Sequence, residues 1–337
     1  MDALTHFALG ICTTEIFRKK DLGKGFLFWG ASAQCLPDLD TAAALYLPAD
    51  RVLQVHRGFT HSLLFALLAG LCLAWVTFRI YRRKEVSFLL LFGFFCAQLI
   101  LHDLLDVCNS YGTGLLEPFS HHRFSVNLLY VADPLFSIGF VLAAIVLLVK
   151  SNDYLSRSKW AWTAILFSAF YMGYAAINKT VIDNRVSAAI KARGLHYKGY
   201  FTTPAPMNSM LWYAVINTDS CYYTGYVSVF DSRSPKVKLE QHPKNYFLLS
   251  AVRGKHSVQN LKNFANGCYT ISGSINEPYI NILRFGQIQG WKRDNAPFVL
   301  SLPLMIKGNV TALQKGRLAE WNMDNVKLYL KRIAGNQ

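Results

Sequence analysis

The sequence predicts an α-helical polytopic membrane domain, made of a short N-terminal helical hairpin and about four transmembrane helices, followed by a β-rich extramembrane domain. Of its 337 residues, 52% are hydrophobic and only 16% are charged, which is unusually apolar for a soluble protein. Long apolar runs fill the first half, whereas short alternating runs rich in Tyr, Val and Thr follow residue 200. We therefore expect a membrane domain over 1–179, a linker helix over 180–199 and a β-rich domain over 200–337.

The length of each apolar run separates the hairpin from the membrane spans. Residues 3–17 and 26–36 are too short to cross a bilayer comfortably, and the basic segment between them predicts a helical hairpin. Pro37 ends its second arm, because the residue before a proline is pushed out of the helical region. The longer runs predict four transmembrane helices, over 63–80, 86–107, 131–149 and 160–177.

Clusters of Lys and Arg in alternate turns predict the topology. They lie at 18–24, 79–84 and 150–159, and the positive-inside rule places them on the cytoplasmic side of the membrane. One further crossing then places the β-rich domain outside the cytoplasm. There Cys221 and Cys268 could form a disulfide, whereas the other five cysteines lie in or beside apolar segments without CxxC spacing.

The positive charge is concentrated in the second part of the chain. Residues 1–179 carry 15 Lys and Arg against 12 Asp and Glu, a balance of +3, whereas residues 180–337 carry 20 against 8, a balance of +12. Beside membrane spans, such a surface favours anionic lipid headgroups over nucleic acid as the partner.

Histidine and aspartate residues recur near one depth of the predicted membrane domain. Counted from the nearest basic cluster, His6, Asp38, His61, His102 and Asp133 lie 12 to 18 residues away. At the rise of a helix this corresponds to roughly 18 to 27 Å, near the outer face. Because ionisable groups are costly within spans unless they find partners, we expect them to form a functional site.

A bound divalent metal explains this mixture of side chains best. Imidazole and carboxylate ligands suit zinc, with manganese or iron as alternatives. His102 and Asp106 are four residues apart and share a helix face, while an extended backbone would point Asp38 and Asp40 the same way. The candidate ligands are His6, Asp38, Asp40, His56, His61, His102 and Asp106.

The segment from His56 to Ser62 lies at the mouth of a predicted span. Thr60 is expected to cap that helix, and Gly58 permits a turn that would bring His56 back towards it. Each of these residues also has a structural alternative to a role in a functional site. A lone histidine in a span can serve helix packing, the two aspartates can cap a helix, and Asp133 before a proline is a natural cap.

Such a site favours hydrolysis, most naturally of a phosphoester. Asp103 is either a further ligand or the general base that takes a proton from a metal-bound water. Arg57 and Arg123 are expected to neutralise the oxyanion that develops. His122 lies in a turn-like loop, where it is either solvated or in contact with substrate.

Four motifs together resemble one known family. They are Thr5-His6, Pro37-Asp38-Leu39-Asp40, the segment His56-Arg57-Gly58-Phe59-Thr60-His61-Ser62, and His102-Asp103-Leu104-Leu105-Asp106. In order and spacing they resemble the membrane-bound metal-dependent hydrolases, the YdjM-like and YbcI-like inner-membrane proteins of bacteria. The resemblance covers about the first 135 residues and implies a multi-pass protein of the bacterial inner membrane with a metal-dependent hydrolase activity.

The expected function is hydrolysis of a phosphoester or other ester of a lipid or lipid-linked substrate at the outer face of the membrane. The alternative is a membrane scaffold without enzymatic activity, in which the metal is structural and the β-rich domain binds a partner. A structural site is saturated by four protein ligands, whereas a catalytic site keeps a water position open.

Overall fold

The computed structural model describes residues 1–18, 20–232, 237–252, 255–304, 313–314 and 321–335. Lys19, in the first predicted basic cluster, lies outside the described residues. The chain forms two compact units. The helical unit comprises Met1–Ala43, Val55–Val126 and Val131–Tyr174; the sheet-rich unit comprises Ala44–Gln54, Asn127–Tyr130 and Ala175–Gln337.

The helices of the first half follow the predicted apolar runs. In chain order they are α1 (Ala3–Phe17), α2 (Phe26–Cys35), α3 (Ala49–Val55), α4 (Leu63–Ile80), α5 (Phe88–Val107), α6 (Pro134–Val149) and α7 (Arg157–Ala192). The predicted hairpin is confirmed as the pair α1 and α2. A Cβ atom on Gly10 would lie 2.7 Å from the backbone of Ala31, so a small residue here lets the two helices approach closely.

Among the described residues, three helices are long and apolar enough to cross a membrane: α4, α5 and α7. The helix predicted over 131–149 begins only at Pro134 and has 16 residues, shorter than the roughly 20 that a span needs. Asp133 caps it, because its side chain accepts hydrogen bonds from the backbone N–H groups of Leu135 and Phe136. The helix predicted over 160–177 is longer than expected and continues through most of the linker predicted over 180–199.

The described residues of the sheet-rich unit form two four-stranded antiparallel sheets. The first has the order β1 (Gly199–Pro204), β2 (Leu211–Asn217), β3 (Cys221–Ser228) and β4 (Glu240–Pro243). The second has the order β5 (Tyr269–Gly273), β6 (Pro278–Gln287), β7 (Phe298–Pro303) and β8 (Leu313–Gln314). In the described part of the chain after β4, α8 (Lys255–Ala265) and α9 (Met323–Ile333) accompany the strands. Cys221 and Cys268 are free thiols in this structure.

Strand β2 is buried on both faces, and its alternation divides the core of this unit. Trp212, Ala214 and Ile216 pack against the C-terminal half of α7, where Val186 is fully buried. On the opposite face, Tyr213 and Val215 form a cluster with Tyr222 and Leu283. The period of two along β2 therefore presents one set of side chains to a helix and the other to the second sheet.

Candidate metal centre

Four side chains from three segments of the helical unit converge on one point. They are Asp38 after α2, His61 before α4, and His102 and Asp106 on α5. One ligand atom from each lies within 4.8 Å of the other three. Nε2 of His61 is 3.4 Å from Oδ1 of Asp38 and 3.4 Å from Oδ2 of Asp106. Nε2 of His102 is 3.9 Å and 3.7 Å from the same two oxygens.

Three of these four ligand atoms are buried and have no hydrogen-bond partner. They are Nε2 of His61, Nε2 of His102 and Oδ2 of Asp106. A buried polar atom left without a partner is destabilising, and native proteins rarely keep several of them together. Their shared position suggests that a cation is the partner which this group of atoms is built to receive.

In both histidines, Nδ1 has a partner outside the centre, which leaves Nε2 facing the centre. Nδ1 of His102 lies 2.6 Å from the backbone oxygen of Gln34, to which it donates its proton. Nδ1 of His61 faces Oδ2 of Asp40 at 3.4 Å. With the proton held on Nδ1, each Nε2 keeps its lone pair for a metal, as metal-binding histidines commonly do.

The distances between the ligand atoms fit a metal ion. Tetrahedral coordination with bonds of about 2.0 to 2.1 Å places neighbouring ligand atoms about 3.3 to 3.4 Å apart. The four separations between an imidazole nitrogen and a carboxylate oxygen, 3.4 to 3.9 Å, are at or slightly above this value. One ligand atom of each residue lies within 4.8 Å of the others. Two imidazoles and two carboxylates are a donor set typical of zinc, manganese or iron.

Asp38 and Asp40 do not share one role, and the predicted extended backbone is wrong. Residues Pro37–Leu45 form a 3-10 helix, which gives the two carboxylates different surroundings. Asp38 faces the centre, whereas Asp40 contacts the segment that carries His61. Asp40 accepts hydrogen bonds from the backbone N–H of Arg57 at 2.9 Å and from the hydroxyl of Thr60 at 2.7 Å.

His56 lies beside Asp40 and outside the four-residue group. Its Nδ1 is 2.7 Å from Oδ1 of Asp40. Asp40 therefore binds both histidines of the segment, one through each carboxylate oxygen. These contacts make Asp40 a positioning residue for His61.

The turn and the helix cap of this segment differ from the prediction. The residue with the left-handed backbone is Arg57, at φ 59°, whereas Gly58 has φ −88°. The cap of α4 is Ser62, whose hydroxyl accepts a hydrogen bond from the N–H of Phe65 at 3.1 Å. Thr60 lies in the 3-10 helix Phe59–His61, before the start of α4, and its hydroxyl donates to Asp40.

Arg57 is buried and forms an ion pair with Asp106. Its Nε lies 2.9 Å from Oδ2 of Asp106, although the angle is not that of a hydrogen bond. Its Nη1 donates to Oδ1 of Asn109 at 2.7 Å, and its guanidinium carbon lies 4.9 Å from the ring centre of Tyr111. Arg57 therefore adds a positive charge beside the two carboxylates of the centre.

His6 contacts the centre without belonging to the four-residue group. Its Nε2 lies 3.3 Å from Oδ1 of Asp106, and its ring stacks on that of His102 with the ring centres 3.8 Å apart. The α-amino group of Met1 also forms an ion pair with Oδ1 of Asp106. His6 thus orients both ligands of α5.

The remaining predicted site residues differ in their exposure. Asp103 is buried, and its Oδ1 has no hydrogen-bond partner. Arg123 is half-buried and donates from Nη1 to the backbone oxygen of His56 at 3.0 Å. His122 is exposed and packs edge-on against Phe124.

Asp38 stays ionised at neutral pH. Burial alone would raise the pKa of its carboxyl group, but the neighbouring imidazole of His61 and the positive field of the other groups around it outweigh burial and lower the pKa to about 2. Its side chain keeps 18% of its surface exposed, whereas those of His61, His102 and Asp106 are fully buried. The centre therefore opens to its surroundings at Asp38.

Gln34 was not identified from the sequence. Its backbone oxygen orients His102, its Oε1 lies 3.3 Å from Nδ1 of His6, and its Nε2 donates to Oε1 of Gln98 at 3.0 Å. The available signal was an amide in the otherwise apolar or small-residue run 26–36. Such an amide needs a partner within the bundle.

The fold and the site define the class: a helical membrane protein with a buried centre of two histidines and two aspartates that could hold a divalent metal. The chain belongs to the YdjM inner membrane protein family, whose sequence profile matches residues 1–182 and thus every candidate site residue. The resemblance seen in the sequence is confirmed. The family and the apolar helices both fit a location in the bacterial inner membrane.

Two similar proteins extend this comparison. The inner membrane protein YbcI of Escherichia coli K12 is 32% identical over 123 residues, which cover 36% of this chain and 69% of YbcI. The uncharacterized protein YfhP of Bacillus subtilis 168 is 32% identical over 107 residues, which cover 32% of each chain. No solved structure matches the chain significantly.

Proposed function

We propose that this protein is a membrane-bound metal-dependent hydrolase, which cleaves a phosphoester or other ester bond of a lipid or lipid-linked substrate at the outer face of the bacterial inner membrane. One observation carries the proposal: three buried ligand atoms without hydrogen-bond partners converge with Asp38 on one point. Asp38, His61, His102 and Asp106 would hold the metal, with zinc the first candidate and manganese or iron the alternatives.

The chain supplies a base and positive charge beside this centre. When bound, a divalent cation of this kind lowers the pKa of a coordinated water to about 7. Asp103 is the proposed general base, because its Oδ1 is buried without a hydrogen-bond partner and its carboxyl group interacts electrostatically with His61 and Asp38 of the centre. Arg57 and Arg123 flank Tyr111, at 4.9 Å and 6.0 Å from its ring centre, and would stabilise the negative charge of the reacting group.

The surroundings of Asp38 support a lipid substrate. Leu39 follows Asp38 directly and is 66% exposed, and Phe59, which precedes Thr60, is 44% exposed. Exposed apolar side chains beside a polar opening suit a substrate that presents a headgroup to the metal and its hydrocarbon to the membrane. His122, in an exposed loop, is proposed to contact the headgroup.

We also propose that the sheet-rich unit lies outside the cytoplasm, because the positive-inside rule places the basic turns on the cytoplasmic side. The test is a reporter enzyme that is active only outside the cytoplasm, fused after Gln337. We expect this fusion to be active. A cytoplasmic signal would overturn this placement of the sheet-rich unit.

The scaffold alternative also has an observation in its favour. Four protein ligands suffice to saturate a structural zinc site. In that case the metal would stabilise the helical unit without activating water. Metal content and hydrolysis must therefore be measured on the same preparations.

The test compares purified wild type with His61→Ala and Asp106→Ala. Bound metal is measured by elemental analysis, and phosphate or headgroup release is measured with a panel of phospholipids. The matched control is His121→Ala, since His121 is 85% exposed and pairs with Glu117. We expect both site variants to lose metal and hydrolysis and the control to keep both.

The outcomes separate the two functions. Unchanged metal content in both site variants would refute the metal centre. Metal bound by wild type and lost from the variants, without hydrolysis of any lipid tested, would favour the scaffold.

A further inference from the structure

A polar pocket of about 280 Å³ lies in the sheet-rich unit, beside the connection between β6 and β7. Strand β3 lines it with residues 224–226, and the connection lines it with Gly290, Trp291, Lys292 and Asp294. Sites for small molecules commonly enclose roughly 300 to 1,000 Å³, so this pocket suits a small ligand.

Two aromatic side chains line the pocket. Trp291 is half-buried, and its ring packs on that of Tyr329 with the ring centres 5.0 Å apart. The hydroxyl of Tyr226 accepts a hydrogen bond from the backbone N–H of Gln287 at 3.2 Å. These contacts hold both rings in place. The face of an aromatic ring is electron-rich, so it attracts the slightly positive C–H groups of an aliphatic ring.

The carboxylate of Glu240 holds the connection against β4. Its Oε1 accepts a hydrogen bond from the backbone N–H of Asn295 at 2.6 Å, and its Oε2 accepts one from Nε2 of Gln287 at 3.2 Å. The same Nε2 donates to the backbone oxygen of Ala296 at 3.0 Å. Because these bonds fix the wall of the pocket before a ligand arrives, little binding free energy is lost in ordering it.

The pocket also presents hydrogen-bond donors and acceptors side by side. Nζ of Lys238 lies 2.6 Å from Oδ1 of Asp294, and these two side chains are 74% and 62% exposed. Nζ of Lys292 donates to Oδ1 of Asn325 at 2.8 Å, which uses one of the three N–H groups of an ammonium. A hydroxyl group both donates and accepts, so it can bond to a neighbouring ammonium and carboxylate together.

The charges around the pocket cancel. Its described lining residues include three cations and two carboxylates, namely Lys238, Lys292, Arg332, Glu240 and Asp294. A third carboxylate, that of Asp231, binds Arg332 at 2.7 and 3.1 Å. This balance gives no advantage to a phosphate or a carboxylate as ligand, since both are bound by an excess of positive charge.

We infer that this pocket binds a neutral saccharide, with one sugar ring against Trp291 and its hydroxyl groups at Lys238 and Asp294. A sugar ring combines C–H groups that contact an aromatic face with hydroxyl groups that donate and accept. The sugar can be a free monosaccharide or a residue of a larger glycan. The site involves neither the metal centre nor the proposed hydrolysis, so it can be tested independently of them.

Three variants test the two halves of this site. Trp291→Ala removes the aromatic ring, and Trp291→Phe keeps an aromatic face at the same position. Asp294→Ala removes an exposed acceptor. Its matched control is Asp219→Ala, because Asp219 forms an ion pair with Lys198 at 2.9 Å in the same unit and is also exposed, at 80%.

The assay is a titration of full-length protein with glucose, galactose, mannose and N-acetylglucosamine, with glucuronate and inorganic phosphate as charged comparators. The detergent must lack a sugar headgroup, which would compete for the site. An array of immobilised neutral glycans, probed with the same protein, distinguishes a glycan residue from a free sugar. Thermal unfolding shows whether each variant is folded.

We expect wild type to bind at least one neutral sugar, free or within a glycan, more tightly than either charged comparator. Asp294→Ala should weaken this binding by about tenfold, equivalent to about 1.4 kcal/mol, because a hydrogen bond to a charged group is lost. Trp291→Ala should weaken it at least as much, whereas Trp291→Phe and Asp219→Ala should bind nearly as wild type does.

Three results would overturn the inference. The first is wild type that binds no neutral sugar in either format. The second is tighter binding of phosphate or glucuronate than of every neutral sugar. The third is unchanged sugar binding in folded Asp294→Ala and Trp291→Ala, which would place the sugar elsewhere. If Trp291→Ala does not fold, Asp294→Ala compared with Asp219→Ala decides the question alone.

Discussion

Replacing Asp40 with asparagine should weaken metal binding even though Asp40 is not one of the four converging ligands. Its two oxygens contact His56 at 2.7 Å, the N–H of Arg57 at 2.9 Å, the hydroxyl of Thr60 at 2.7 Å and Nδ1 of His61 at 3.4 Å. An amide has nearly the same shape, but it carries no charge and has only one accepting oxygen.

The amide can satisfy only part of this set. If its oxygen accepts from Arg57 and Thr60, its NH2 group faces Nδ1 of His56. In the opposite orientation, the NH2 group faces the N–H of Arg57 and the hydroxyl of Thr60, which then lose their acceptor. In both orientations His61 loses the negative charge that favours a proton on Nδ1 and a lone pair on Nε2. Losing a partner of this kind typically costs 10 to 100-fold in metal affinity, or about 1.4 to 2.7 kcal/mol.

The assay is a competition titration of purified protein with a chromophoric chelator. Asp133→Asn is the matched control, since Asp133 is a buried carboxylate that caps α6 and binds Tyr171. Asp38→Asn should weaken binding more than Asp40→Asn, because Asp38 provides a ligand atom. An affinity of Asp40→Asn equal to that of wild type, in folded protein, would refute the role given to Asp40.

Two further predictions concern the same segment. Metal affinity should fall on acidification. Burial lowers the pKa of His61, but the nearby carboxylates of Asp38 and Asp40 outweigh burial and raise this pKa above its usual value. A proton therefore competes with the metal for Nε2 as the pH drops through that raised pKa. Titrations between about pH 8 and about pH 5 would measure this loss. Ser62→Ala should destabilise the helical unit by about 1 kcal/mol, because the cap of α4 is lost, and thermal unfolding would measure it.

Both predictions have a clear contrary result. A metal affinity that stays constant down to about pH 5 would mean that no imidazole is a ligand. For Ser62, the control is Ser62→Thr, which retains the hydroxyl that accepts from Phe65. Equal unfolding temperatures for the alanine and threonine variants would show that the cap contributes nothing.

The order of helices and strands was determined by local sequence. Apolar runs gave α4 its predicted bounds and α5 nearly so, because the length of a span is set by the hydrocarbon that it crosses. Alternation along β2 and β3 likewise marked strands in the sheet-rich unit. The junction at residues 180–199 was less clear, since nothing local stops α7 before Ala192.

Much of the site was also visible in the sequence, because helical spacing puts His102 and Asp106 on one face and the basic turns put Asp38 and His61 near the same depth. Only the tertiary structure separated Asp38 from Asp40, which lie two residues apart but turn to different partners in a 3-10 helix. The same is true of Gln34, whose backbone oxygen orients His102 across 68 residues of chain. Local sequence determines period and depth, whereas the partner of each polar group depends on which helices pack together.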